Sequence, residues 1–152
     1  MNQKEKIEKV KKLRNELGLS IMEIKQALEE AKGDEKKAKE ILKKKGLEKV
    51  KKRQGKETKQ GRVASYTHST GKIGSLVELL CETDFVAKND EFVALANDLC
   101  LQVVAMEAKN GKELAGQDFI RDSSMKVGDL VKELGVKFGE NIKIGRAERF
   151  EI

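Results

Sequence analysis

The sequence has no tryptophan and no proline, one histidine and two cysteines in 152 residues. A structural zinc site needs about four Cys or His ligands, so Cys81, Cys100 and His68 cannot build one. His68 has no nucleophile near it in sequence, and no glycine-rich phosphate loop is present. No constellation for covalent chemistry is therefore legible, and no cofactor or metal is expected. No run approaches the ~18–20 apolar residues of a membrane span, and the basic N-terminus is not followed by an apolar stretch. The expectation is a soluble, cytoplasmic chain without a membrane partner. Cys81 falls on a strand-like run and Cys100 on an apolar helix-like run, so both are expected as buried thiols in a reducing compartment. Hydrophobic and charged residues each make up 38 % and aromatics only 4 %, which limits the chain to modest cores in one domain or two small ones.

What is abundant is positive charge, and it is local. Residues 1–42 carry 11 basic and 9 acidic groups, residues 43–62 carry 10 and 2, and residues 63–152 carry 11 and 15. The net +6 therefore belongs to one short segment, while the C-terminal body is mildly acidic. That Lys-rich segment reads as a solvated linker at 48–61, helical at its start. It could touch phosphates non-specifically. No aromatics interleave it for base stacking, so specific nucleic-acid recognition is not expected.

Ahead of the linker, Ile7, Val10, Leu13 and Leu17 recur at helical spacing. Ser20 and Glu23 form a capping box for a second helix carrying Ile24, Leu28 and Ala31. Asp34 caps a third, with Ala38, Ile41 and Leu42, which Gly46 is expected to end. This predicts a three-helix domain over 1–47. Beyond residue 61 the period changes to two. Val63 to His68, Ile73 to Cys81 and 141–152 read as strands, the first two joined by a Ser69-Thr70-Gly71-Lys72 turn. A helix from Asp90 to Ala108 bears a wide stripe including Phe92, Leu99 and Val103. Residues 110–122 read as irregular, Val127 to Leu134 as a short helix closed by Gly139. The second domain, 62–152, is thus expected as α+β, a three-stranded antiparallel sheet covered by helices.

The stretch Cys81-Glu82-Thr83-Asp84-Phe85-Val86-Ala87-Lys88-Asn89-Asp90 joins strand to helix. Thr83, Asp84, Asn89 and Asp90 are helix-capping residues, which leaves Phe85 unexplained. A large ring on a connection either folds into the core, its usual fate, or faces a partner. The string Thr83 to Asp90, preceded by Cys81-Glu82, resembles the signature of the elongation factor Ts family, the nucleotide exchange factors of elongation factor Tu. Further matches run in order through Tyr66-x-His68, Leu76-Val77-Glu78, Phe119-Ile120-x-Asp122, Val127-Gly128-Asp129-Leu130 and Gly139-Glu140-Asn141-Ile142. Lys12-Leu13-Arg14, Ile21-Met22 and Gly33-Asp34 resemble the family's ubiquitin-associated-type N-terminal domain. The first turn departs from it, with Leu17-Gly18-Leu19-Ser20 where members usually carry Thr-Gly-x-Gly. Only about ten residues precede Phe119 where members commonly have a longer helical segment, and there is one core copy.

The resemblance implies a guanine nucleotide exchange factor, not an enzyme, with elongation factor Tu as partner. Phe85 would be a wedge entering the partner's G domain beside its Mg²⁺, with Asp84 disturbing the polar contacts there and Thr83 and Val86 flanking. His68, Phe138 and Gly139 match positions facing the G domain. Ile21 and Met22 match the apolar pair that touches it from the N-terminal domain. The bland alternative for that pair is core, and one of the two is expected there, since Ile21 shares the face of Ile24. For Asp84 the bland alternative is a helix cap. A single-core chain resembles half of the longer members, which implies a homodimer through the sheet or the broad helical face. The competing class is an RNA- or ribosome-associated binding protein using the Lys-rich linker.

Overall fold

The computed structural model describes residues 2–152. The chain divides into two compact units, the first ending at Lys52 and the second running Arg53–Ile152.

The first unit holds three helices, α1 (Gln3–Leu17), α2 (Ile21–Glu30) and α3 (Glu35–Arg53), the last running one residue past the unit boundary. Each start is capped as its sequence dictates. Asn2 and Glu5 form a capping box on α1, Ser20 and Glu23 one on α2, and the Asp34 carboxylate accepts from Lys36 N at 2.9 Å and Lys37 N at 3.2 Å. Val10, Leu13, Ile24, Ala27, Leu28, Ala31, Ala38 and Leu42 close a small core. Alanine fills three of these eight places, which lets short helices approach closely.

Three expectations fail here. Ile7 is exposed, so the α1 stripe is narrower than its spacing suggested. Ile21 and Met22 are 42 % and 71 % exposed, so neither is core. Ile24, Ala27 and Leu28 take the inner arc of α2, and at about 100° per residue Ile21 lies on that arc's edge and Met22 on the far side. Gly46 does not end α3, which continues to Arg53. Ala38, Leu42, Gly46 and Val50 form one buried row at four-residue spacing, so the glycine lies inside the helix on its buried face. The basic segment therefore begins as helix.

In the second unit β1 (Gln60–Thr67), β2 (Ile73–Cys81) and β5 (Lys143–Glu151) form an antiparallel sheet in the order β1-β2-β5. The fold is α+β, as expected. Helix α5 (Asp90–Met106) packs across β1 and β2 and buries Phe92, Ala96, Leu99, Cys100 and Val103 against Val77, Leu79 and Cys81. Buried Ser75 donates to the Cys100 carbonyl at 2.9 Å, so this hydroxyl on the inner face of β2 is satisfied by the helix. Both cysteines are buried free thiols.

Residues 110–122 are not irregular. They hold α6 (Gly111–Gly116) and the strand β3 (Asp118–Phe119), and β3 pairs with β4 (Asp122–Lys126) in a minimal hairpin. Elements of six and two residues are too short to show a period. Their organiser is Gln102, fully buried on α5. Its amide nitrogen donates to Gln117 Oε1 and the Asp118 carbonyl, and its oxygen accepts from Ile120 N at 2.9 Å. Among the described residues no buried side-chain nitrogen or oxygen lacks a partner. Helix α7 (Val127–Phe138) then leads back to the sheet.

Candidate functional site

The site is the corner where β2 leaves the sheet. Strand β2 ends at Cys81, and a single helical turn, α4 (Asp84–Ala87), precedes α5. Thr83 is the N-cap of that turn, extended at φ −119°, and its hydroxyl oxygen accepts from Val86 N at 3.4 Å. Val86 and Ala87 face inward and join the core. One helical turn cannot bury four adjacent side chains on one side, so Asp84 and Phe85 point outward. Phe85 is 83 % exposed, the most exposed aromatic ring of the chain. The Asp84 carboxylate pairs with Lys88 at 3.1 Å across exposed surface, and such pairs contribute little. Asn89 then caps α5 through Glu91 N at 2.9 Å.

The corner is held from behind by α7's exit. Gly139 adopts the left-handed conformation at φ 66°, which ends α7 and redirects the chain so that Glu140 turns back under the corner. One Glu140 carboxylate oxygen accepts from Glu82 N at 3.0 Å and Thr83 N at 3.1 Å; the other accepts the Thr83 hydroxyl proton. Glu82 in turn accepts from Arg53 Nε at 3.0 Å and Asn141 N at 3.0 Å. The Arg53 guanidinium holds the Glu82 carboxyl below its usual range. Asn141 donates to the carbonyls of Gln54 and Lys56, tying residues 54–56 into the same network. Beneath it, burial and the Glu140 charge push the Cys81 thiol up to about 11, and its sulfur donates to the Thr83 carbonyl at 3.1 Å. Glu140 and Asn141 are legible in the sequence only as part of a matching string, with no role attached. Their partners lie 57 to 59 residues away in the case of Thr83 and Glu82, beyond any local pattern.

The seven residues of the second unit expected to meet a partner are not brought to one place. Thr83, Asp84, Phe85, Val86, Phe138 and Gly139 lie at the Cys81 end of β2, where Leu80 pairs with Lys143 at the start of β5. Val86 is buried in the core and is a support of the corner, not a contact surface. Phe138 is half-buried against the core, and Gly139 is exposed. His68 sits at the opposite end, in the β1–β2 turn, roughly 27 Å away along nine strand residues. Its Nδ1 accepts from Thr70 N at 3.3 Å, and the ring is half-buried. Ile21 and Met22 are exposed on the first turn of α2, in the other unit.

The described residues contain no cluster of His, Cys, Asp or Glu able to hold a metal, and no helix among them is long and apolar enough to cross a membrane. What the corner offers is a bare aromatic ring beside a loosely paired carboxylate on a braced turn.

Comparison with known proteins gives this geometry a context. A family model described as Elongation factor TS matches residues 82–152, beginning at the corner itself. Elongation factor Ts of Leptospira biflexa is 39 % identical over 190 aligned positions, covering 95 % of this chain and 96 % of that protein. Elongation factor Ts of Thermotoga maritima is 39 % identical over 186 positions, covering 94 % of each. That of Thermotoga neapolitana is 38 % identical over the same span. Alignments longer than this chain mean that these relatives carry residues it lacks. The matches fall among the elongation factors of translation. Within that class, the chain belongs to the elongation factor Ts family.

Proposed function

We propose that this chain is a guanine nucleotide exchange factor that binds elongation factor Tu in the cytoplasm and speeds release of GDP. The observation that carries the reading is Phe85, a solvent-facing ring on a corner whose every other apolar side chain is in the core. A GTPase holding GDP at nanomolar strength has about 12 kcal/mol of binding free energy. Accelerating release ~10⁴-fold requires narrowing the gap between bound state and release barrier by about 5.5 kcal/mol. A factor that binds the distorted, nucleotide-free partner better than the nucleotide-bound one supplies this, and linkage makes nucleotide weaken the factor in return. Phe85 acts as the wedge, entering an apolar slot beside the partner's Mg²⁺ site. Asp84 leaves Lys88 at small cost and competes for the polar contacts around that ion. Met22 and Ile21 add a second apolar contact, and His68, Phe138 and Gly139 face the partner's G domain, Gly139 also shaping the α7 exit behind the wedge.

The test is release of labelled GDP from elongation factor Tu. Phe85→Ala lowers the rate by about thirtyfold or more, the range of an interface hot spot, and leaves the melting temperature unchanged because the ring contacts no core. Unchanged release in that variant would sink the reading.

The chain is also proposed to work as a homodimer. Of the two faces considered, the sheet is favoured, because Val63, Leu76 and Phe150 are exposed large apolar residues on its side away from α5. The stripe of α5 is already spent on the core. A monomer by light scattering at micromolar concentration, alone and with elongation factor Tu, removes this part.

A further inference from the structure

The Phe85 corner is a polar junction with an unusual source of support. In most strand-to-helix connections the cap is local, and Thr83 alone would serve. Here the cap is itself held. The Thr83 hydroxyl has one proton, and a carboxylate can only accept, so the hydroxyl donates to Glu140, which fixes which way it points. The oxygen lone pair is thereby left aimed at Val86 N. The same carboxylate collects the Glu82 and Thr83 amides, the last groups before the turn. Glu140 is only 9 % exposed, so these three bonds form where little water competes for them, and charge-assisted bonds of this kind are about twice as strong as neutral ones. Nothing covers Asp84 or Phe85 on the outer side. The direction of the ring is therefore set from the inner side, through Thr83 and the seating of Val86 and Ala87.

We propose that Glu140 is the positioning residue of the exchange site: its carboxylate, reaching back from the end of α7, orients Thr83 and so aims Phe85 at the partner. This rests on the reading of Phe85 as the wedge. It assigns to α7 and its Gly139 exit a task besides core packing. A short two-signal pattern, a left-handed glycine followed by an acid, becomes the brace of a turn formed more than fifty residues earlier. A wedge works only if its tip is stiff, because each degree of freedom it retains is paid from its binding energy.

The experiment compares Glu140→Gln, Thr83→Val, Phe85→Ala and the double variant Glu140→Gln/Phe85→Ala, each as the full chain. Glu140→Gln keeps the side chain's size and removes its charge. Amide hydrogen exchange of the free protein reads the brace without any partner. The amides of Thr83 and Val86 exchange about tenfold or more faster in Glu140→Gln, while those of Val77 and Leu79 in the central strand keep their protection. With elongation factor Tu, the maximal GDP-release rate falls about tenfold while the half-saturating concentration changes by less than about threefold, since the lost term is orientation rather than contact area. Thr83→Val moves both readouts in the same direction by less, because the two backbone bonds to Glu140 survive. On top of Phe85→Ala, Glu140→Gln adds no further loss of exchange.

Unchanged amide exchange at Thr83 and Val86 overturns the proposal, as does loss of protection throughout the sheet, which would make Glu140 an element of the fold alone. A loss that simply multiplies that of Phe85→Ala overturns it too, because the two residues would then act separately. If the turn loosens as described but Phe85→Ala itself leaves GDP release intact, it is the exchange reading that fails, and the placement of Glu140 as brace of the turn stands.

Discussion

Strand β2 leaves the sheet at both ends through a polar turn, and the two turns are stabilised in opposite ways. At the hairpin end every side-chain bond is local. Thr70 N donates to His68 Nδ1, Lys72 N donates to the Thr70 hydroxyl at 3.4 Å, and the chain closes on itself within five residues. At the Cys81 end the turn is held by Glu140 and Asn141, which arrive from the other side of α7. A local turn forms whenever its own residues do. A turn braced from a distance forms only when the whole domain has folded, but once formed it is fixed in orientation relative to the core. The exposed wedge sits on the second kind.

Two glycines give a matched pair for breaking that contrast. Gly139 and Gly71 both have left-handed backbones, φ 66° and 68°, and an added Cβ at either meets nothing within 4 Å. Alanine at each should therefore cost the same, about 1–2 kcal/mol of conformational strain, read as equal shifts of the denaturant midpoint. Exchange activity should separate them. Gly139→Ala displaces the exit of α7 that carries Glu140 and lowers GDP release several-fold beyond what stability explains, whereas Gly71→Ala distorts only the hairpin and changes release by less than about twofold. Equal effects on release would mean that the distant brace confers nothing on the wedge.

Acid sharpens the same comparison with a smaller effect. The Glu82 carboxyl is held below its ordinary value of 4.5, chiefly by its bond to Arg53. A depressed folded value means that the stabilisation is complete above about pH 4.5 and drains away as pH falls through the folded pKa. Residues 67–72 contain no carboxylate. Between pH 5 and 3 the amides of Glu82 and Asn141 should therefore lose protection, after correction for intrinsic rates, while those of His68 and Gly71 lose less. Glu82→Gln should show the weakened corner already at pH 7 and a flatter acid limb. An acid limb as steep as that of the unaltered chain would place the sensitivity at another carboxylate, such as Glu78, which Arg146 holds down in the same way.

How much of this was legible in the sequence follows the same division between local and distant. The Ser20–Glu23 box, the β1–β2 hairpin and the existence of strand β5 are written within a few residues and were read correctly, but the even alternation of β5 is broken by a register shift that turns Phe150 to the outer face. Gly46 was misread as a stop because a glycine on the buried row of a helix looks the same as one at its end. Helix α6 and the β3–β4 hairpin were missed because Gln102, fifteen to eighteen residues earlier, does the organising. Phe85 shows the limit most clearly. Composition sends a ring inward; the family resemblance alone implied that it faces a partner, and in the structure the burial of its neighbours Val86 and Ala87 leaves it facing out. Ile21 erred the other way, since a place on the edge of an apolar arc does not guarantee cover.

The smallest effect expected at the corner is also the most local probe of its charge. Cys81 and Cys100 are both buried thiols with raised pKa, but for different reasons. Burial dominates at each, and only Cys81 also feels the Glu140 carboxylate. A thiol near 11 is ionised in only about one molecule in a thousand at pH 8, so alkylation is slow. Removing the carboxylate in Glu140→Gln takes away the second cause and leaves the first. Labelling of Cys81 by iodoacetamide, followed by peptide mass spectrometry, should thus rise by a factor of a few and by less than about tenfold. Cys100, on the same core and beyond the reach of that charge, serves as the internal reference and should not change. A parallel rise at both sites would mean that the core was opening rather than that one thiol had lost a neighbouring charge.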